Sequence, residues 1–216
     1  MAIFADRTEA GRELAEALSA WRSADAVVFG IPRGGVVVAA EVARILGLPL
    51  DVAVVRKLGA PAQAEYAVGA IADGVRVVNP DAVRRGDVTP DELASVEHAE
   101  RVELDRRRRA FPRSTPALAG RTAIVVDDGV ATGATASAAC LALRAEQPDW
   151  IILAVPVAPL AWRPDPGTAD DFVCPHPIRD FWAVGQHYDD FTQTTDSEVA
   201  RLLRSASTGS ATEDPG

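Results

Sequence analysis

The sequence lacks the features that mark secreted and membrane proteins. Only two of its 216 residues are cysteines, Cys140 and Cys174, which are too few for a disulfide framework and fit a reducing compartment. No apolar run approaches the ~18 residues that a bilayer span needs. The first ten residues contain charged side chains and no apolar core, so we expect no secretory signal. We therefore expect a cytoplasmic protein.

Basic residues are also scarce. Lysine and arginine together number 22 against 31 acidic residues, which gives a net charge of −9. This balance argues against a general surface for nucleic acid or anionic membrane, although it allows a local basic pocket for a phosphorylated small molecule. Lysine occurs once, at Lys57. Either the genome writes arginine for lysine, or this one position needs a compact ammonium group rather than a planar guanidinium.

Apolar strands alternate with helical patterns along the chain, which predicts an α/β fold with a mainly parallel, twisted sheet flanked by helices. Short β-branched runs predict the strands, and capping residues and helical spacing predict the helices. The predicted strands are Ala26–Ile31, Leu50–Val55, Thr122–Val126 and Trp150–Val157, with a hairpin around Asp73-Gly74; the predicted helices are Asp6–Ala20, Val36–Leu46, Thr89–Ala110 and Thr135–Ala145.

One domain over residues 1–204 accounts for this pattern. From Ala158 to about residue 200, prolines and aromatic residues predict a small C-terminal cap of short strands and turns. Residues 205–216 have little apolar content and predict a disordered tail. The four arginines Arg106–Arg109 end a charged helix, where we expect a solvated face rather than a phosphate or nucleic-acid patch.

The segment TAIVVDDGVATGATA, residues 122–136, carries the chemistry. An apolar strand delivers Asp127 and Asp128 to its carboxyl end, where open α/β sheets bind ligands. Thr132-Gly133-Ala134-Thr135 then opens a helix, whose free N–H groups and dipole attract a phosphate. The two acids disfavour a phosphate beside them, so hydroxyl groups such as those of a ribose are their natural partners. A capped strand–turn–helix with surface acids is the alternative interpretation.

This segment resembles the signature of the type I phosphoribosyltransferases, in which apolar residues precede two acids and a Thr-Gly-x-Thr sequence. Two further motifs lie where that family would place them. Ile31-Pro32-Arg33-Gly34-Gly35 resembles the loop that surrounds the pyrophosphate, and Arg56-Lys57, placed at the end of the second predicted strand, resembles the basic pair beside it. A tight strand–helix turn and a solvated strand end are the alternatives for these two motifs.

The resemblance implies a donor, 5-phosphoribosyl 1-diphosphate (PRPP), with Mg²⁺ as cofactor and pyrophosphate as the leaving group. It implies that Asp127 and Asp128 hold the ribose and touch the metal mainly indirectly. It assigns stabilisation of the charge on the leaving pyrophosphate to Mg²⁺, Arg33, Lys57 and the loop amides, and it makes Arg33, Lys57, Asp127 and Asp128 the catalytic residues. The PRPP-binding residues that it implies are Arg33, Gly34, Gly35, Arg56, Lys57, Asp127, Asp128, Ala131, Thr132, Gly133, Ala134 and Thr135.

The resemblance also implies a flexible lid over about residues 59–112, with Gly59-Ala60-Pro61 as its hinge. Family members that act on 6-oxopurines carry an Asp just before the Thr-Gly, where this chain has Ala131. That difference disfavours hypoxanthine or guanine as the acceptor, and a general base must come from elsewhere, such as Glu65. Phe181, Trp182 and Tyr188 are candidates to stack on an acceptor base, although packing within the cap is the more common role of such residues.

We therefore expect transfer of a phosphoribosyl group to a nitrogenous acceptor, a nucleobase in the first instance. The expected partners are PRPP and a small-molecule acceptor, without nucleic acid or membrane, and a homodimer is left open. A catalytically silent protein of the same fold that binds PRPP or a nucleotide is the first alternative. A generic nucleotide-binding α/β domain is the second.

Overall fold

The computed structural model describes residues 2–111 and 117–209, except for the side chains of residues 64, 65 and 207–209. Its central sheet has five parallel strands in the order β2-β1-β6-β7-β9. This confirms the predicted parallel α/β architecture. The strands are β1 (Ala26–Gly30), β2 (Leu50–Val52), β6 (Thr122–Val126), β7 (Trp150–Ala154) and β9 (Asp171–Val173).

Helices cover both faces of this sheet, because successive strand residues point to opposite sides. Val28, Ile124 and Ile152 pack with α1 (Arg7–Ala17) and α2 (Gly34–Leu46) on one face, whereas Val125 and Leu153 pack with α5 (Ala134–Arg144) on the other. Cys140 lies in that second cluster, fully buried as a core residue. The helices are α1 (Arg7–Ala17), α2 (Gly34–Leu46), α3 (Pro80–Arg85), α4 (Pro90–Ala110), α5 (Ala134–Arg144) and α6 (Asp196–Gly209).

The segment predicted as a lid contains its own antiparallel sheet of β3 (Arg56–Ala60), β4 (Gln63–Ala72) and β5 (Val75–Val78). Apolar residues of this sheet pack against α3 and α4 as a separate cluster. The capping box predicted at the start of α4 is present, since the Thr89 hydroxyl accepts from the Glu92 N–H and the Glu92 carboxylate accepts from the Thr89 N–H. The mobility of the segment stays a prediction.

One detail of the sequence interpretation is wrong in this region. The second strand ends at Val52, so Arg56 and Lys57 do not close it; they begin β3 in the other sheet. Gly59, predicted as part of a hinge, lies inside β3 at an irregularity of its pairing with β4, and the hinge stays a prediction. The alternation of RKLGA is too weak to mark a strand, which forms because β4 supplies its partner.

The cap is built from short elements, as predicted. The strands β8 (Val157–Pro159) and β10 (His176–Ile178) pair in parallel, and β9 joins the edge of the main sheet. The predicted strand over residues 150–157 is divided, because β7 ends at Ala154 before Pro156 and β8 begins at Val157. The N-terminal segment also contributes, since Phe4 forms a parallel bridge with Tyr188.

The C-terminal helix extends further than the sequence predicts, into the segment expected to be a disordered tail. Residues 205–209 belong to α6 rather than to a disordered segment, and residues 210–216 lie outside the described residues. The helix extends because Val199, Leu203 and Ala206 pack against β2 and α2, which outweighs the polar composition of its last turns. Among the described residues, each helix is too short or too polar to cross a lipid bilayer.

Candidate active site at the carboxyl edge of the sheet

Asp127 and Asp128 follow directly after β6, at the carboxyl edge of the central sheet. Oδ1 of Asp127 accepts a hydrogen bond of 2.9 Å from the Asp128 N–H. Burial raises the pKa of the Asp127 carboxyl well above its usual range, and the neighbouring Asp128 charge raises it further. Burial also raises the pKa of Asp128. The pair, called here the acid turn, therefore concentrates two poorly solvated carboxyl groups at one point.

Arg7, the first residue of α1, neutralises one of these carboxyl groups. Its Nε donates to Oδ2 of Asp128 at 2.8 Å, and the two side chains are 10% and 15% exposed. The guanidinium carbon lies 3.9 Å from the centre of the Phe191 ring. The ion pair opposes the effect of burial on the pKa of Asp128. The sequence interpretation did not include Arg7, because 121 residues separate it from Asp128.

The glycine loop, residues 31–35, lies against the acid turn. The Ile31 N–H donates to the Val126 carbonyl at 2.9 Å, which holds the loop beside the end of β6. A Cβ added to Gly35 would lie 2.8 Å from both Cα and Oδ1 of Asp127. Real Cβ atoms do not approach neighbours so closely, so a side chain at this position would have to displace the acid turn. The structure thus brings the predicted loop and the predicted acids into direct contact.

The Thr-Gly loop, residues 131–135, leads into the first turn of α5. Gly133 has a positive φ of 82° and precedes the first helical residue, Ala134. A Cβ on Gly133 would lie 2.3 Å from the indole of Trp162. The Trp162 Nε1–H also donates to the Thr132 carbonyl at 3.4 Å. Trp162 therefore supports the loop from the cap, a contact that the sequence interpretation missed.

Two of the basic residues predicted beside the pyrophosphate, Arg33 and Arg56, already face acidic side chains. Nη1 of Arg33 lies 3.7 Å from Oδ1 of Asp196, the first residue of α6. Nε of Arg56 lies 2.6 Å from Oε2 of Glu100 on α4. Lys57 is half-buried in β3 opposite Ala70, and it has an interaction partner of its own. These groups therefore come from two elements, the glycine loop and β3.

The arginine run at the end of α4 does not form a wholly solvated face, contrary to expectation. Arg107 is only 7% exposed, and burial together with the nearby Arg56 charge lowers its pKa. Nη2 of Arg106 lies 2.8 Å from Oδ2 of Asp196. Since Asp196 also faces Arg33, the run links α4 to the glycine loop through the start of α6.

The aromatic residues predicted to meet an acceptor separate into different environments. Trp182 is 84% exposed, whereas Tyr188 is 5% exposed and its hydroxyl donates to the Asp128 carbonyl at 2.6 Å. Tyr188 therefore supports the acid turn instead of offering a free ring face, a role that its sequence context does not reveal. Phe181 is half-buried and packs near Phe4. The side chain of Glu65 lies outside the described residues.

The donor set gives a limited capacity for a metal ion. Within residues 2–111 and 117–209, the structure contains no group of three or more His, Cys, Asp or Glu side chains that could hold one. Asp127 and Asp128 supply carboxylate oxygens, which Mg²⁺ prefers, but one oxygen of Asp128 already faces Arg7. Two such carboxyl groups suit an ion such as Mg²⁺, most of whose ligands are water and substrate oxygens.

Comparison with known proteins agrees with this geometry. The family model for the phosphoribosyl transferase domain matches residues 6–191. Two Mycobacterium tuberculosis proteins, from strains CDC 1551 and H37Rv, are 50% identical over 208 residues, and their names assign them provisionally to the phosphoribosyl transferases. The match covers 94% of this chain and 47% of each relative, so the chain spans about half the length of these curated relatives.

Solved structures show the same fold. The crystal structure of TT1426 from Thermus thermophilus is 41% identical with a TM-score of 0.69, and the match covers 94% of this chain and 98% of that one. A Neisseria gonorrhoeae protein crystallised with ppGpp shares the fold at 17% identity and a TM-score of 0.50, with 92% of each chain covered. The sequence motifs, the family match and the Mycobacterium relatives together show that this chain belongs to the phosphoribosyl transferase family.

Proposed function

We propose that the protein transfers the 5-phosphoribosyl group of PRPP to a nitrogenous acceptor, a nucleobase in the first instance, and releases pyrophosphate. The observation that carries this proposal is the direct contact between the glycine loop and the acid turn, beside the helix that follows the Thr-Gly loop. A ligand lying across these three segments would meet free N–H groups at both ends and carboxylates between them. PRPP has that distribution of charge, with phosphates flanking a hydroxylated ring.

The Thr-Gly loop is proposed to hold the 5-phosphate. The first N–H groups of α5 have no partner inside the helix, and the helix dipole favours an anion there. The hydroxyls of Thr132 and Thr135 add two further donors. Gly133 allows the backbone the left-handed conformation that opens the loop. Anchoring the phosphate fixes the sugar for attack at C1.

Asp127 and Asp128 are proposed to accept hydrogen bonds from the ribose hydroxyls. A carboxylate offers about four acceptor positions, so the bond from Arg7 leaves room on Asp128 for a hydroxyl. Because both groups are poorly solvated, hydrogen bonds from a ligand would replace little water. The ribose would then be fixed through its hydroxyl groups while its C1 faces the acceptor.

The leaving pyrophosphate is proposed to meet Arg33, Lys57, Arg56 and the N–H groups of Gly34 and Gly35. Negative charge grows on this group as the C1–oxygen bond breaks, and fixed donors stabilise that charge most in the transition state. Arg33 lies 3.7 Å from Asp196 through Nη1, so its other N–H groups could contribute. Mg²⁺ bound with the donor would neutralise part of the pyrophosphate charge, and Asp127 and Asp128 would contact it mainly indirectly, through its bound waters. Closure of residues 59–112 would exclude water from the reacting centre.

The acceptor is proposed to stack on Trp182. This side chain lies two residues before Val184, whose methyl group would be 2.6 Å from a Cβ on Gly129, so the loop that carries Trp182 runs beside the acid turn. An indole exposed to 84% offers a free face to a planar base. Ala131 supplies no proton acceptor, which favours acceptors other than 6-oxopurines.

The test is pyrophosphate release by the purified chain with PRPP, millimolar Mg²⁺ and a panel of purine and pyrimidine bases. We expect one base to stimulate release, and Asp128→Asn and Thr135→Ala to reduce it by about 10²-fold each, the size usual when a substrate loses its reactive position. The variant Arg12→Met, on the far side of α1, serves as the control. Absence of PRPP binding by calorimetry would overturn the proposal.

A binding protein without turnover is the second candidate. Asp128, Arg33 and Arg56 each face an ion-pair partner within the chain, which suits a pocket that ligand binding opens. The Neisseria gonorrhoeae protein of the same fold was crystallised with ppGpp, a nucleotide that carries two diphosphates. Tight binding of PRPP or ppGpp without pyrophosphate release by any acceptor in the panel would favour this candidate.

A further inference from the structure

The first turn of α1 lies at the acid turn because the N-terminal segment is bound to the cap. The Ile3 and Phe4 N–H groups both donate to the His187 carbonyl at 3.0 Å, and the Asp189 N–H donates to the Phe4 carbonyl at 2.9 Å. The Asp6 side chain then caps α1 by accepting from the Glu9 N–H at 2.8 Å. The position of Arg7 is therefore fixed by the backbone on both sides.

The guanidinium of Arg7 contacts three separate parts of the site. Its Nε donates to Oδ2 of Asp128 at 2.8 Å, and its Nη1 donates to the Thr192 carbonyl at 2.9 Å. The ring of Phe191 covers its face at 3.9 Å. A Cβ on Gly34 would lie 2.6 Å from Nε. The glycine loop, the acid turn and the cap therefore meet at this one side chain.

This arrangement uses the planar fork of arginine. Two nitrogens of the planar group donate in different directions, Nε to a carboxylate and Nη1 to a carbonyl, while its face packs on an aromatic ring. An ammonium group could pair with Asp128 but could not keep the ring contact and both directed hydrogen bonds. With its side chain only 10% exposed, Arg7 is screened from solvent, so its effect on Asp128 is stronger than that of a surface ion pair.

We propose that Arg7 is a positioning residue, which holds the carboxylate of Asp128 in the orientation that receives a ribose hydroxyl of the donor. The inference rests on the proposed function, because it needs a donor whose sugar lies on the acid turn. Arg7 occupies one of about four acceptor positions that a carboxylate such as Asp128 offers, so it can support the ligand site without filling it. It acts through Asp128 and need not touch the donor.

The experiment measures PRPP binding by calorimetry in millimolar Mg²⁺, which requires no acceptor. Arg7→Met keeps most of the side-chain volume and removes the charge and the donors. We expect its Kd for PRPP to rise about 10- to 100-fold, with a stoichiometry still near one. This is the size usual for residues that orient a binding side chain without touching the bound group. Arg7→Lys should recover part of the affinity. Arg12→Met, which loses an exposed α1 arginine near Glu41, should bind as the wild type does.

A purely structural role would give a different result. Partial unfolding of Arg7→Met lowers the stoichiometry and leaves the Kd of the folded fraction unchanged, which would overturn the inference. The double variant with Asp128→Asn tests the route, because Arg7→Met should add little once the Asp128 charge is gone. A full additional loss in that background would mean that Arg7 binds the donor directly.

Failure of the proposed function is distinguishable from failure of this inference. If the wild-type chain binds no PRPP, the proposed function fails and the role of Arg7 fails with it. If the wild type binds PRPP and Arg7→Met binds it equally well, only the role of Arg7 is excluded.

Discussion

A methyl group on Gly34 would lie 2.0 Å from Oδ2 of Asp128. This distance is far inside van der Waals contact, so the glycine loop and the acid turn cannot both keep their positions if residue 34 has a side chain. The absence of a side chain at this position is therefore what allows the two segments to form one site.

The variant Gly34→Ala should lose PRPP affinity by about 10²-fold, because a displacement of about 1 Å at a reacting centre has effects of that size. Calorimetric titration with PRPP and Mg²⁺ measures the loss. Gly74→Ala is the matched control: its φ of 65° makes alanine unfavourable by about 1 kcal/mol, but it lies in the hairpin turn with open space around it. Equal affinity of Gly34→Ala and the wild type would contradict the contact.

The buried hydroxyl of Tyr188 supplies a second prediction. Tyr188→Phe removes the donor to the Asp128 carbonyl and leaves the ring in place. We expect the free energy of unfolding to fall by about 1–3 kcal/mol, the cost of leaving a buried acceptor without its partner. Urea unfolding measures this change, and Tyr66→Phe, in the other sheet, provides the comparison. A stability indistinguishable from the wild type would show that the carbonyl finds another donor.

A variant of Trp182 can separate an effect on acceptor binding from an effect on the free energy of unfolding. Trp182→Ala should change the free energy of unfolding by less than about 0.5 kcal/mol, because the indole is 84% exposed. If an acceptor base stacks on it, the KM for the acceptor should rise about 5- to 100-fold, while the KM for PRPP stays the same.

Trp162→Ala is the contrasting variant for that measurement. Its indole supports the Thr-Gly loop, so PRPP binding should weaken and the chain should also lose stability. An unchanged acceptor KM in Trp182→Ala would remove Trp182 from the acceptor site.

Stability should fall in acid through the carboxylates that face Arg106. Hydrogen bonds from Arg106 lower the pKa of Glu103 to about 2 and lower the pKa of Asp196 as well. Both carboxyl groups have a lower pKa in the folded chain than in the unfolded chain, where it is near 4. The stabilisation is therefore complete above about pH 5 and is lost as the pH falls toward the folded-state pKa of Glu103, about 2. Urea unfolding of the wild type at pH 7, 5, 4 and 3 measures this loss.

Arg106→Gln should be less stable than the wild type at pH 7, and the difference should shrink as the pH falls to 3. Arg85→Gln makes the same charge change on α3 and should show a smaller pH dependence of its effect. A difference between Arg106→Gln and the wild type that stays constant from pH 7 to 3 would exclude the ion pairs as its cause.

The sequence predicts the central sheet because its strands are short, apolar and bounded by turn residues. Thr122–Val126 matches the observed strand residue for residue, and the capping box of α4 marks that helix. The start of β3 and the end of α6 are not predictable in this way. Both depend on partners outside their own segments, since β3 needs the following strand β4 and the last turns of α6 need the distant surfaces of α2 and β2.

The residues of the candidate site likewise divide into those that local motifs predict and those that only long-range contacts place there. Local motifs identify Asp127, Asp128 and the two glycine-containing loops, because each motif lies within about fifteen residues of sequence. The supporting contacts of Arg7, Trp162 and Tyr188 bridge distant segments, so no local pattern predicts them. The exposure of Trp182 and the burial of Tyr188 are likewise properties of packing, which residue type alone does not reveal.

The bond between Arg7 and the Thr192 carbonyl joins groups 185 residues apart along the chain. During synthesis from the N-terminus, the first turn of α1 emerges long before the residues that hold it. The central sheet can therefore form before Arg7, beside Asp128, can donate to the Thr192 carbonyl. Competence to bind a ligand should appear as a late event in biogenesis, after the chain has grown past Thr192.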